Sequence, residues 1–116
     1  TAGAAVIDEL PPQETDIILP KRRFSAFFKT DLDITLRELA VDTIVVCGIS
    51  TEVCVTLTAF EGLANDFRAI ILSDCCASRR SETREQALSL HRRSPLRPLL
   101  QVMTLAEFIS SLDETK

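Results

Sequence analysis

A cysteine and a lysine carry the chemistry this sequence could do. Cys54 closes toward the end of "VVCGISTEVCV", residues 45–55, where an apolar β-branched run breaks at Gly48 and gives way to small and polar residues. That change of character marks a buried strand ending and a helix beginning. If Thr51 caps the helix, Cys54 lies in its first turn. Free backbone N–H groups point outward there, and the helix dipole favours an anion. The thiolate is the form of cysteine that attacks a carbonyl carbon, and the same N–H groups can hold the oxyanion that the attack creates. Gly48 permits an unusual backbone turn just ahead. Against this stands the ordinary use of cysteine as a small core residue. That use fits Cys47, which lies within the apolar run. Cys75 and Cys76 follow another strand's end and read as packing residues.

The candidate partner is Lys21, which follows a short apolar run in "ILPKRRF". On the rim of a second strand, a cation would stabilise a thiolate and a developing oxyanion. Lys21, Arg22 and Arg23 also read as a solvated charge cluster, and position alone does not separate the lysine from its neighbours. His91 is the one histidine, and a Cys–His pair is the competing constellation. It falls in a basic, polar helix ending, so it is expected to be exposed. No spacing brings it to a strand's carboxyl end. A zinc site built on several imidazoles cannot come from this chain.

The elements that must position these residues alternate. Residues 1–15 read as an irregular or short helical lead-in stopped by Pro11 and Pro12. Apolar runs at 15–20, 42–49, 68–74 and 99–104 read as strands. The intervening segments 31–41, 51–67, 81–93 and 104–114 read as helices. Thr30 or Asp31 would cap the first, and Ser81 the third. Thr104 and Glu107 make a capping box for the last. The second strand is apolar on both faces from Ile44 to Cys47, as central strands of parallel sheets are. Strand–helix alternation implies a parallel sheet with helices on both faces, and sites in such sheets form beyond the strands' carboxyl ends. Those ends are where Lys21, Gly48 to Thr51, and Asp74 fall.

The totals limit the alternatives. With 116 residues and 46% hydrophobic content, the chain is one globular domain or part of one. A net charge of −4 argues against nucleic acid or an anionic membrane as the main partner. No apolar run is long enough to span a bilayer. The start, "TAGAAVIDELPPQ", lacks the pattern of a signal peptide. Four cysteines, two of them adjacent, do not look like a disulfide framework. Reduced thiols in a cytoplasmic protein fit better.

The series "LPKRRFSAFFKTDLDITLRELAVDTIVVCGISTEVCVTLTAF", running on into "AIILSDCCAS", resembles the isochorismatase-like cysteine hydrolases. That superfamily includes nicotinamidase, N-carbamoylsarcosine amidohydrolase and ureidoacrylate amidohydrolase. The resemblance implies a three-layer α/β/α fold and an Asp–Lys–Cys triad, with Cys54 as nucleophile and Lys21 as the triad lysine. It also implies a non-proline cis peptide at Ile49–Ser50, which turns the N–H of Ser50 beside that of Cys54 as an oxyanion hole. Phe24 and Phe28 near the lysine would line an apolar substrate wall, with core packing as the alternative. Arg23 and Thr51 are the remaining candidates for substrate contact.

The family's triad aspartate lies well before the lysine. Asp8 stands only 13 residues before Lys21, in the context of the pre-lysine segment, and is not assigned as the base. The expectation is therefore that residues 1–116 are the C-terminal part of a single isochorismatase-like domain. The resemblance implies no cofactor, and leaves zinc open because nicotinamidase metal ligands belong to the preceding part. It further implies a small-molecule substrate and a homo-oligomer. The two prolines in "HRRSPLRPLLQVMT" are expected near a subunit contact. Two rival functions stand beside amide hydrolysis. One is vinyl-ether cleavage of the isochorismatase type, whose enzymes usually lack the cysteine. The other is a truncated, non-catalytic structural or regulatory member.

Overall fold

The computed structural model describes residues 5–114, so the first four residues of the lead-in lie outside it. Helix α1 spans Leu32–Glu38 and strand β1 spans Thr43–Ile49. A π-helical turn, Thr51–Val55, continues into α2, Thr56–Ala64. Strand β2 (Arg68–Ala77), helix α3 (Ser81–Arg92), strand β3 (Leu100–Met103) and helix α4 (Leu105–Glu114) complete the order. The strands form one sheet in the order β1–β2–β3. Both pairings are parallel. This is the expected strand–helix alternation from α1 onward.

The core lies between the sheet and the helices α2 and α3. Val46, Ala69, Ile71 and Leu100 from the strands meet Ala59 of α2 and Leu88 of α3 in one buried cluster. Burying a leucine or isoleucine side chain contributes about 1.5–3 kcal/mol each. Gly62 lets α2 approach β1, because a Cβ there would lie 2.5 Å from Ile44 Cδ1.

Both early helices stop sooner than their apolar spacing suggests. Ala40 and Asp66 adopt positive φ, at 56° and 70°. In α1, Ala40 N–H reaches the Arg37 carbonyl and Val41 N–H the Leu36 carbonyl. In α2, Asp66 N–H reaches Leu63 and Phe67 N–H reaches Gly62. Each is a Schellman ending built without the usual glycine, so the sequence carries no overt stop. For α3 the N-cap is Arg80, one residue before the expected Ser81, and no side chain caps it. The capping box of α4 is present: Thr104 Oγ1 accepts the Glu107 N–H at 3.1 Å, and Glu107 Oε1 accepts the Thr104 N–H at 2.9 Å.

Two sequence expectations are corrected here. Residues 15–20 form no strand, and Ile17 and Ile18 are exposed. A strand exists only where a neighbour completes its hydrogen-bond ladder, and among the described residues none pairs with this run. Among the described residues strand β1 is covered on one face only. Val46 packs into the core, while Val45, Cys47 and Ile49 on the alternate face are exposed, Ile49 to 72%. Cys47 is therefore not a core residue. Its run is apolar from Ile44 onward, and the pleat sends alternate side chains to opposite faces.

Candidate active site

The π-helical turn begins where β1 ends, and it sets where Cys54 points. Gly48 takes φ of +123°, a conformation that disfavours any side chain. The Ile49–Ser50 peptide bond is cis. The Ser50 carbonyl then accepts two N–H groups, from Val53 at 3.2 Å and from Val55 at 3.1 Å. The bond from Val55, five residues on, winds the backbone more widely than an α-helix, and Cys54 is left half-buried at the carboxyl end of the sheet.

Thr51 anchors the turn from beneath. It is 0% exposed, and its hydroxyl donates to the Ala77 carbonyl of β2 at 3.1 Å. The expected substrate contact at Thr51 is thus corrected: its hydroxyl is committed to the protein backbone. Arg84 of α3 grips the same stretch of β2, donating from Nε to the Cys76 carbonyl at 2.9 Å and also to the Ser73 carbonyl. Between Val46↔Ile71 and Gly48↔Cys76 the register shifts, so β2 bulges where Arg84 holds it.

Lys21 reaches this turn from the loop at 21–30. Its Nζ lies 3.8 Å from Cys54 Sγ. The same ammonium donates to the carbonyls of Arg23 at 3.1 Å and Phe24 at 3.3 Å. An ammonium has three donors, and these three acceptors use them all. The loop is fastened to α2 and to the segment after it: the Ala26 N–H donates to Thr58 Oγ1 at 3.0 Å, and buried Phe27 stacks on Phe67 with ring centroids 6.2 Å apart. Thr58 lies one helical turn beyond Cys54, so one helix positions both partners. A cation at this distance stabilises negative charge developing on sulfur or on a nearby carbonyl oxygen.

The other candidates sit on the rim. Phe24 and Phe28 are 57% and 42% exposed, so neither is a core residue. Lys29 Nζ stands 5.3 Å over the Phe28 ring. Arg23 is exposed and donates to the Arg22 carbonyl. Among the described residues no carboxylate is hydrogen-bonded to Lys21 or Cys54, and Asp8 is exposed in a turn. A concavity of about 930 Å3 is lined by Leu10, Ile17, Ile18 and their neighbours and touches the pair only at Lys21. Among the described residues no group of three or more His, Cys, Asp or Glu side chains is arranged to hold a metal.

The other thiols differ from Cys54 in setting. Partial burial and the Asp74 carboxylate push the Cys75 thiol up from its ordinary value, and burial does the same for Cys76. His91, expected to be exposed, is only 4% exposed. It packs edge-on against Phe60 at 5.4 Å, and its Nε2 lies 2.9 Å from Thr56 Oγ1. The signal was there, because His91 follows Leu88 by three positions and so shares its buried face. Thr56 and Thr58 have no sequence signal of their own, because their partners at Ala26 and His91 lie far along the chain.

A parallel α/β sheet that carries a cysteine turn and a lysine at its carboxyl rim defines a recognisable class. The isochorismatase domain matches residues 1–107. The chain belongs to the isochorismatase family. It is 35% identical to ureidoacrylate amidohydrolase RutB of Stutzerimonas stutzeri over 109 residues, covering 94% of this chain and 40% of that protein. Its similarity to RutB of Klebsiella pneumoniae is 46% over 69 residues, covering 60% of this chain and 29% of the relative. An isochorismatase-like hydrolase from Alkaliphilus metalliredigens superposes with a TM-score of 0.86 at 42% identity, covering 97% of this chain and 60% of that one. N-carbamoylsarcosine amidase from Thermoplasma acidophilum gives 0.74 at 31% identity, covering 88% and 56%. The chain thus spans less than two thirds of the length of each of these relatives.

Proposed function

We propose that this chain carries the nucleophile and lysine of a cysteine hydrolase that cleaves the carbon–nitrogen bond of a small amide or ureido compound. The observation that supports it is the 3.8 Å approach of Lys21 Nζ to Cys54 Sγ at the carboxyl rim of the sheet. The relatives named as amidohydrolase and amidase give the substrate class.

In this reading Cys54 sulfur attacks the carbonyl carbon and a C–S bond forms. The N–H groups of Ser50 and Cys54 hold the oxyanion. The thiol proton passes to a carboxylate base from outside these 116 residues and on to the departing nitrogen as the C–N bond breaks. Water then cleaves the thioester, releasing the acid and restoring the thiol. Lys21 supports the anionic states. Phe24, Phe28 and Arg23 form one wall of the approach. The setting is a reducing cytoplasm, supported by four free thiols. The assembly is a homo-oligomer, supported by uncovered apolar residues such as Ile49 and Leu90.

The test is Cys54→Ser in the full protein, with ammonia release measured from nicotinamide, N-carbamoyl amino acids and short ureido acids. Turnover is expected to fall by about 10^3-fold or more, the scale on which a nucleophile's loss is felt. Undiminished turnover removes the reading. Cleavage of isochorismate that survives the substitution would replace it with vinyl-ether chemistry.

A further inference from the structure

We propose that His91 is a positioning residue for the Cys54 turn, acting through the hydroxyl of Thr56. The proposal rests on the reading of Cys54 as a reactive thiol and adds to it a support that reaches the turn from α3.

The argument starts from where one proton must be. Thr56 Oγ1 lies 2.7 Å from the Thr51 carbonyl oxygen. Two oxygens approach that closely only with a proton between them, and a carbonyl has none to give. The Thr56 hydroxyl proton therefore points at Thr51. That leaves Thr56 Oγ1 as an acceptor toward His91 Nε2, 2.9 Å away. His91 Nε2 must carry a hydrogen, which fixes the ring as the Nε2–H tautomer. The result is a directed relay from α3 to the turn: imidazole N–H to hydroxyl oxygen, hydroxyl proton to the Thr51 carbonyl.

The Thr51 carbonyl also accepts the Thr56 backbone N–H, so Thr56 holds it with both of its donors. Thr51 is in turn tied to β2 by its hydroxyl. The turn at Thr51–Val55 is thus clamped at its first residue from two sides, by β2 and by α3, while Cys54 projects toward Lys21. The edge-on Phe60 ring, 5.4 Å from the imidazole, fixes its plane. A polar side chain buried this deeply costs free energy unless it is hydrogen-bonded. An apolar residue would fill the same space without that cost, but it would leave Thr56 free to turn its hydroxyl away from Thr51.

The experiment follows Cys54 itself. The full protein is treated with iodoacetamide, and alkylation of each cysteine peptide is timed by mass spectrometry, with Cys75 as internal control. His91→Leu and Thr56→Val are each expected to slow Cys54 alkylation several-fold while leaving the Cys75 rate unchanged. His91→Gln, which can present an N–H at a similar reach, is expected to restore most of the rate. The double variant is expected to be no slower than the slower single one. In ammonia release, kcat should fall with KM unchanged.

Unchanged Cys54 alkylation in folded His91→Leu overturns the proposal, as do additive effects in the double variant. If His91→Leu does not fold, Thr56→Val and Thr56→Ser decide: only the serine keeps the hydroxyl and should keep the rate. A reactive wild-type Cys54 without ammonia release ends the amidohydrolase reading and leaves this one standing on the alkylation rates. A wild-type Cys54 no faster than Cys75 ends both.

Discussion

The two halves of the candidate site are built differently. The cysteine half is held from behind by part-buried bonds, anchored on buried Thr51 and His91: Thr51 to Ala77, Thr56 to Thr51, and His91 to Thr56. The lysine half is held at the surface, where the Nζ of Lys21 rests on two loop carbonyls and its neighbours Arg23 and Phe24 face solvent. Buried hydrogen bonds sit in a low dielectric and resist exchange with water, so they fix geometry. Exposed ones compete with water and fix little. The turn that carries Cys54 is therefore preformed by this chain, whereas the lysine segment is fastened mainly through Ala26, Phe27 and Thr58.

Substitutions can break that comparison, and their effects should descend in order. The loss of about 10^3-fold or more in turnover expected for Cys54→Ser is the largest, and Lys21→Ala should follow at about 10^2-fold, read in kcat/KM. Leu88→Ala, beneath the cysteine turn, should lower unfolding free energy by about 2–5 kcal/mol in urea titration. Thr51→Val leaves the Ala77 carbonyl without its donor and should cost about 1–3 kcal/mol by the same measurement. On the lysine side Phe24→Ala should stay within about 0.5 kcal/mol, because 57% of the residue already faces solvent. A large loss there would show that the rim is as firmly built as the turn.

The sharpest small effect is on pH. Burial pushes the His91 imidazole below its ordinary value of 6.5. Above pH 6.5 the imidazole is neutral in both folded and unfolded chains, and its contribution is fully present. As pH falls below 6.5 the unfolded chain takes up the proton first, so stability is lost toward the depressed folded value. Concavities beside the ring are lined by Glu52 on one side and by Arg92, Arg97 and Glu107 on the other, so these charges modulate the loss. Urea midpoints at pH 7.5 and 5.5 should therefore differ, and His91→Gln should shrink the difference.

How much was legible depended on where the physical cause of each feature lay. The capping box at Thr104 and Glu107 was readable because its donors and acceptors are three residues apart. The helix ends at Ala40 and Asp66 were not, because residues with a Cβ took a left-handed conformation that usually advertises itself as glycine. Residues 15–20 look like a strand and are not one, because pairing is supplied by a neighbour and not by the run itself. Cys47 misled for a similar reason: an apolar run states what a strand tolerates, not which of its faces is covered.

By itself the sequence determined the alternation of elements from α1 onward, the family, and the identity of the two residues that face each other across the rim. Those follow from local periodicity and from an ordered series of motifs, which any short window of chain can hold. Only the tertiary structure decided that Thr51 braces its turn, that His91 is buried, and that Thr56 links the two. Hydrogen bonds between residues 26 and 35 positions apart have no local signature, because their partners meet only after β2 and α3 have packed against the turn that carries Cys54.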